Sequence, residues 1–327
     1  METKKKITIL EGKYFAGFIL TLLIQLVCLW IINNMLDAEA LGSNVVFCIS
    51  MLPFMLIGYP IFLYFISRTP KNFEIEKKSM SVKQILIAFT MAYAIMYVCN
   101  IIGVILNALL GMIVGKPMGN VVLNMVNATN PLTMFIIAVV LAPIFEELVF
   151  RKFLIDRTAG YGEKVALLIS ATLFALYHGN IGQGVYAFGL GAFFAMIYIK
   201  TGNVKYTIIL HVMINFVGSI IAGQLLEIFD IFAFTTIASA GDVEALIAFL
   251  TENAVGFAAY MIYTMLLIVI VIVGIVMICV HHKKMKLEIK ETDIPKKAIF
   301  KTVYLNWGML LCVAFFVGMM VYVVINS

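Results

Sequence analysis

Charge is scarce in this sequence. Asp, Glu, Lys and Arg make up 13% of its 327 residues, against 63% hydrophobic residues and a mean hydropathy of +1.05. So little charge excludes a soluble domain with a single anchor and fits a chain that crosses a bilayer many times. Cysteine is sparse as well. Cys28, Cys48, Cys99, Cys279 and Cys312 each sit alone in an apolar run with no CxxC spacing, which supports neither a disulfide framework nor a thiolate metal site. No internal repeat or low-complexity tract is present, and no Ser or Cys stands out as an activated nucleophile. The net charge of +5 follows the loops between apolar runs, so no nucleic acid partner is expected.

What is abundant is the long apolar run. Stretches of roughly 20 apolar residues, the length that spans a bilayer, fall at 14–32, 45–66, 85–114, 132–155, 164–179, 185–200, 206–225, 256–280 and 302–325. The predicted fold is an all-α polytopic bundle of eight or nine spans. Three regions are expected: 1–130 with the first three spans, a catalytic core at 131–225, and 226–327 with an acidic segment and the last spans. The first apolar run is too long for a cleaved signal and reads as a retained span.

Basic residues alternate from loop to loop. Lys4, Lys5, Lys6 and Lys13 precede the first span; Arg68, Lys71, Lys77, Lys78 and Lys83 follow the second. Arg151, Lys152, Arg157 and Lys164 lie after the fourth, Lys200 and Lys205 after the sixth, and seven lysines between His281 and Lys301. The other loops (33–44, 115–131, 180–184 and 226–255) hold only Lys116. The positive-inside rule then predicts a cytoplasmic N-terminus and, after nine crossings, an external C-terminus in the plasma membrane. Within 226–255, Asp242 is placed to cap a short amphipathic surface helix. Asn127-Ala-Thr129 fits a glycosylation triplet and carries no weight. Asn100, Gly103 and Asn107 are placed to bend the long third span.

Against this background Leu141-Ala-Pro-Ile-Phe-Glu-Glu-Leu-Val-Phe-Arg151 stands apart. A charged side chain in mid-membrane costs about 2.5–3.5 kcal/mol on insertion scales, and those retained face the bundle interior and act there. Glu147 and Arg151, four apart, share one helical face and can pair. Glu146 points about 100° away and is left for chemistry. Two of the four histidines also fall within apolar runs. His178 has Phe174 one turn before it, and His211 has Asn215 one turn after. A carboxylate beside an imidazole can deprotonate a water, and a second His with an Asn can donate to a developing oxyanion. The set suits hydrolysis of a peptide bond inside a membrane, with water as the nucleophile.

The order Glu-Glu-x-x-x-Arg, Phe-x-x-x-His and His-x-x-x-Asn resembles the CPBP family of intramembrane proteases, which includes the CAAX-prenyl endopeptidases and the bacterial Abi or bacteriocin-immunity proteins. The resemblance covers about 131–225 and includes Gly189-Leu-Gly191 and Tyr198-Ile-Lys-Thr-Gly202. It implies that Glu146 and His178 activate water, that His211 and Asn215 form the oxyanion hole, and that the site opens to the cytoplasm. Glu147, Arg151 and Phe174 are then supporting residues. A metal-free reaction is favoured; if zinc takes part, Glu146, His178 and His211 are its ligands. Lys152 stands where relatives often carry a small residue, and is expected to narrow or charge the cytoplasmic mouth. The composition reads as bacterial, so the expected substrate is a membrane-associated peptide or protein, such as a leader or bacteriocin precursor. The rival readings are a non-catalytic immunity or scaffold protein and a proton-coupled transporter. Depth is the unexplained point. At about 1.5 Å per residue, His178 lies roughly 21 Å from Lys164, too deep for a cytoplasmic mouth.

Overall fold

The computed structural model describes residues 2–116, 118–119, 125, 129–288 and 294–326. Asn127 of the glycosylation triplet lies outside them. Among the described residues every regular element is a helix. They are α1 (Glu2–Met35), α2 (Ser43–Ser67), α3 (Val82–Val114), α4 (Pro131–Phe153), α5 (Glu163–Tyr177), α6 (Ile181–Thr201), α7 (Val204–Ile228), α8 (Ile231–Ala240), α9 (Val243–Glu252), α10 (Ala254–His281), α11 (Lys296–Val303) and α12 (Trp307–Asn326). Asp242 caps α9 as expected, accepting from the Ala245 N–H at 3.0 Å.

Seven of these helices are long and apolar enough to cross a membrane, or eight if α11 and α12, bent by 56° to each other, form one span. The difference from the nine apolar runs is α5. Its 15 residues rise only about 22 Å, short of a hydrocarbon core of roughly 30 Å. α5 and α6 form an antiparallel hairpin. Lys200 reaches Glu163 at 3.4 Å at one end, and a Cβ on Gly191 would lie 3.1 Å from the Ala171 Cα further along. The chain reverses at Gly179, in the left-handed region at φ 65°, and Asn180 caps α6 by accepting from the Gln183 N–H at 2.8 Å. The tip lies against the middle of α3, not its end: a Cβ on Gly103 would meet the Gly182 carbonyl oxygen at 2.7 Å. Gly103 thus serves close approach, and α3 runs as one helix through Asn100 and Asn107. The hairpin stops two or more helical turns short of Gly115, where α3 ends.

Aromatic packing ties the outer helices to this hairpin. The Phe18 ring lies 5.7 Å from Phe62, 6.0 Å from Phe150, 5.5 Å from Tyr177 and 5.2 Å from Phe316, joining α1, α2, α4, α5 and α12. Large apolar side chains such as Ile113, Met112 and Val255 are exposed, as a lipid-facing surface requires.

The basic loops gather at one end. Lys71 pairs with Asp156 at 3.4 Å, Arg157 Nε donates to the Thr69 carbonyl at 2.8 Å, and the Lys78 N–H donates to the Thr201 carbonyl at 2.8 Å. At the opposite end the 33–44 loop meets the start of α4, where the Asn130 N–H donates to Asn44 Oδ1 at 2.6 Å.

Candidate active site

Helix α4 is not a regular α-helix. It contains π-helical turns at Phe135–Leu141 and Leu148–Phe153, on either side of Glu146 and Glu147. Such turns leave backbone carbonyls misaligned and recur at functional sites. Side chains from elsewhere satisfy them. The Tyr14 hydroxyl donates to the Val149 carbonyl at 2.7 Å, and the Ser170 hydroxyl to the Phe150 carbonyl at 2.8 Å. Pro143 has no N–H, so Ala138, five residues earlier, lacks its donor; Asn215 Nδ2 supplies one at 2.9 Å. Helix α7 is thereby fastened to α4 at the level of the acids, and it has its own π turn at Phe216–Ile221.

Glu147 and Arg151 are fully buried, with Arg151 Nε 3.1 Å from Glu147 Oε2. The guanidinium lies over the Phe174 ring at 4.3 Å and near that of Phe194 at 5.8 Å. Its Nη atoms have no hydrogen-bond partner among the described residues, so the pair and the rings hold it. The other oxygen of Glu147 lies 3.0 Å from His211 Nδ1. Because Glu147 is also the arginine's anion, this nitrogen is the donor, and His211 Nε2 is turned towards Glu146 Oε2 at 3.8 Å. That gap is too long for a direct hydrogen bond and fits a bridging water.

His178 follows the same logic. Its Nδ1 is 2.8 Å from the Phe174 carbonyl oxygen. A carbonyl can only accept, so Nδ1 carries the proton and a neutral His178 presents a lone pair at Nε2. Phe174 packs edge-on against both imidazoles, with centroids at 4.8 Å from His178 and 5.9 Å from His211. One side chain therefore sets the guanidinium and both rings.

A cavity of about 1100 Å³ is lined by Glu146, Phe174, His178, His211 and Asn215, together with Asn100, Asn107, Asn180 and Gln183. The four residues expected to do chemistry thus share one wall, while Glu147 and Arg151 lie behind it. Glu146 makes no hydrogen bond within the protein among those described. Lys152 is elsewhere: it pairs with Asp156 at 2.8 Å and reaches the Tyr198 hydroxyl at 3.2 Å, and it does not line the cavity. Four amides on the cavity wall were not foreseen as site residues: Asn100, Asn107, Asn180 and Gln183. Asn100 and Asn107, seven apart on one face of an apolar helix, were the legible signal. No group of three His, Cys, Asp or Glu side chains among the described residues is arranged to hold a metal ion. Nδ1 of His211 is held by Glu147 and Nδ1 of His178 by the Phe174 carbonyl, which leaves both Nε2 lone pairs free, as in a metal-bound histidine; were zinc to bind, Glu146, His178 and His211 would be the residues to hold it.

A carboxylate and two oriented imidazoles thus meet at the wall of one cavity inside a polytopic bundle. Residues 128–217 match the family model for the type II CAAX prenyl endopeptidase, Rce1-like. That segment, from just before α4 to Val217, is similar to this endopeptidase domain and holds Glu146, Glu147, Arg151, His178, His211 and Asn215. No curated protein and no solved structure matches the chain.

Proposed function

We propose that the chain is an intramembrane endopeptidase in which Glu146 and an imidazole activate water. The observation that carries this reading is the 3.8 Å gap between Glu146 Oε2 and His211 Nε2 at the cavity base. A water there donates one hydrogen to the carboxylate and another to the Nε2 lone pair of His211 or His178. Glu146 takes the proton as the water oxygen bonds to the scissile carbonyl carbon. The resulting oxyanion accepts from the second Nδ2 hydrogen of Asn215, the first being held by Ala138. For His211 to donate there as well, its Nε2 must first take a proton from solvent, and His178 Nε2 is then the ring nitrogen that accepts from the water. The proton held by Glu146 then passes to the departing amine as the C–N bond breaks.

Glu147 fixes the His211 tautomer, Arg151 balances Glu147, and no step needs a metal. The substrate class that fits is a peptide or protein segment seated in the membrane. The family match favours this reading over the transporter. Purified protein in detergent, incubated with a fluorogenic peptide library, tests it. Cleavage by wild type, lost in Glu146→Gln and His178→Ala and unchanged by chelator, supports the reading; cleavage that survives Glu146→Gln, or that chelator abolishes, overturns it.

A further inference from the structure

Two tyrosines on the cavity wall, Tyr177 at the end of α5 and Tyr186 in α6, take no part in the proposed reaction. Both stand against the ring of His178, with centroids at 6.4 Å and 6.5 Å. The Glu146 carboxylate is within electrostatic reach of both hydroxyls, and among the described residues it accepts from neither.

The hydrogen bonds behind these rings fix the use of each hydroxyl. Tyr59 is 1% exposed and does not line the cavity, and its hydroxyl lies 2.7 Å from that of Tyr177. It has no other partner among the described residues. A buried proton needs an acceptor, so Tyr59 donates and Tyr177 accepts. The Tyr177 proton is then left for the cavity.

A longer relay ends at Tyr186. The Gln183 N–H can only donate, so Asn180 caps it with Oδ1. Asn180 Nδ2 therefore donates, to the His178 carbonyl at 2.9 Å and to Gln183 Oε1. That leaves Gln183 Nε2 to donate to the Tyr186 hydroxyl at 3.1 Å. Tyr186 accepts from behind, and its proton too is left over.

Hydroxyls held in this way are donors to whatever fills the cavity. We propose that Tyr177 and Tyr186 are substrate-binding residues, which donate to main-chain carbonyls of the peptide next to the bond to be cut. This rests on the peptidase reading and adds the contacts that seat its substrate. Carbonyls suit the two donors better than a carboxylate does, because Glu146 would repel a second negative charge there. Within a helix each main-chain carbonyl already accepts, so the segment bound is unwound around the cut. Helices α4 and α7 carry Glu146, His211 and Asn215, while the α5–α6 hairpin carries His178 and the two donors that hold the chain in register with it.

Kinetics in detergent on a peptide that the wild type cleaves test the assignment. Tyr186→Phe removes one hydroxyl and should raise KM by about 2–10-fold, the range that one neutral hydrogen bond spans. The change in kcat should be smaller, and the unfolding midpoint should stay at that of wild type. Tyr177→Phe should raise KM likewise. Tyr59→Phe breaks the same hydroxyl pair from behind but keeps the Tyr177 donor, so it should raise KM less. The substrate supplies a further arm, in which the peptide bond on one side of the cut, then on the other, is replaced by an (E)-alkene. Each of Tyr177→Phe and Tyr186→Phe should lose its penalty towards one of these analogues, because the carbonyl it held is gone. An unchanged KM in both variants, equal effects of Tyr59→Phe and Tyr177→Phe, or penalties that persist on both analogues overturn this assignment alone. Absence of cleavage by the wild type overturns the peptidase reading and the assignment with it, so the two failures are distinct.

Discussion

His211 Nδ1 lies 3.0 Å from Glu147 Oε1, and that single contact decides what the rest of the ring can do. With Nδ1 occupied, only Nε2 faces the cavity, and it faces Glu146. The same carboxylate holds Arg151 through its other oxygen, so tautomer, ring orientation and charge balance all depend on one buried side chain.

Glu147→Ala is therefore expected to act on stability before chemistry. It strands a fully buried guanidinium, a loss that costs about 3–5 kcal/mol when one partner of a buried pair is removed. Thermal unfolding in detergent should show a large drop in midpoint.

Glu146→Gln should do the opposite. Glu146 makes no hydrogen bond among the described residues and faces the cavity, so the unfolding midpoint should stay near that of wild type. Turnover should fall by about 10²–10⁴-fold, the usual contribution of a positioned general base. Parallel assays of cleavage and unfolding on one preparation separate the two variants.

Asn215→Ala removes the donor to the Ala138 carbonyl. Leaving that acceptor buried and unpaired costs about 1–3 kcal/mol. Pro143→Ala restores a backbone N–H five residues after Ala138, so the double variant should recover part of the stability. A double-mutant cycle on unfolding free energy measures this coupling. Cleavage should not recover with it, if the second amide hydrogen of Asn215 serves the oxyanion.

Gly191→Val tests the pivot at Phe174. Even the first added carbon would sit 3.1 Å from the Ala171 Cα and 3.1 Å from Phe174 Cδ1. Overpacking of this kind costs about 1–3 kcal/mol. Since Phe174 carries Arg151 and both imidazoles, kcat should fall as well, whereas Gly318→Val, exposed on α12 with open space around it, should leave both unchanged.

The bundle was legible because apolar runs of bilayer length have few other uses. The Glu147–Arg151 pair was legible because four residues make one helical turn, and the isolation of Glu146 followed from the same geometry. Other features depend on what the sequence does not encode locally. The π turns at 135–141 and 148–153 have no residue signature, so the freed carbonyls that Tyr14, Ser170 and Asn215 satisfy were invisible. The fragment 164–179 reads as a span by hydropathy, yet it is the shorter arm of a hairpin, since periodicity gives no depth. For the same reason Lys152 was placed at the mouth of a cavity that it does not line. The family resemblance pointed to residues that the packing gathers around one cavity, and the packing alone showed how their side chains are held.

The brevity of α5 also sets where the chain can tolerate growth. Extra residues at Gly179 would push the hairpin tip along α3 into the cavity that Asn107, Asn180 and Gln183 line, as a cork does. Extra residues near Gly162, at the basic end, would only lengthen a tether outside the bundle. Two insertions of equal size, about a helical turn apiece, would thus have unequal consequences, and the cavity beside the hairpin tip is what makes the difference.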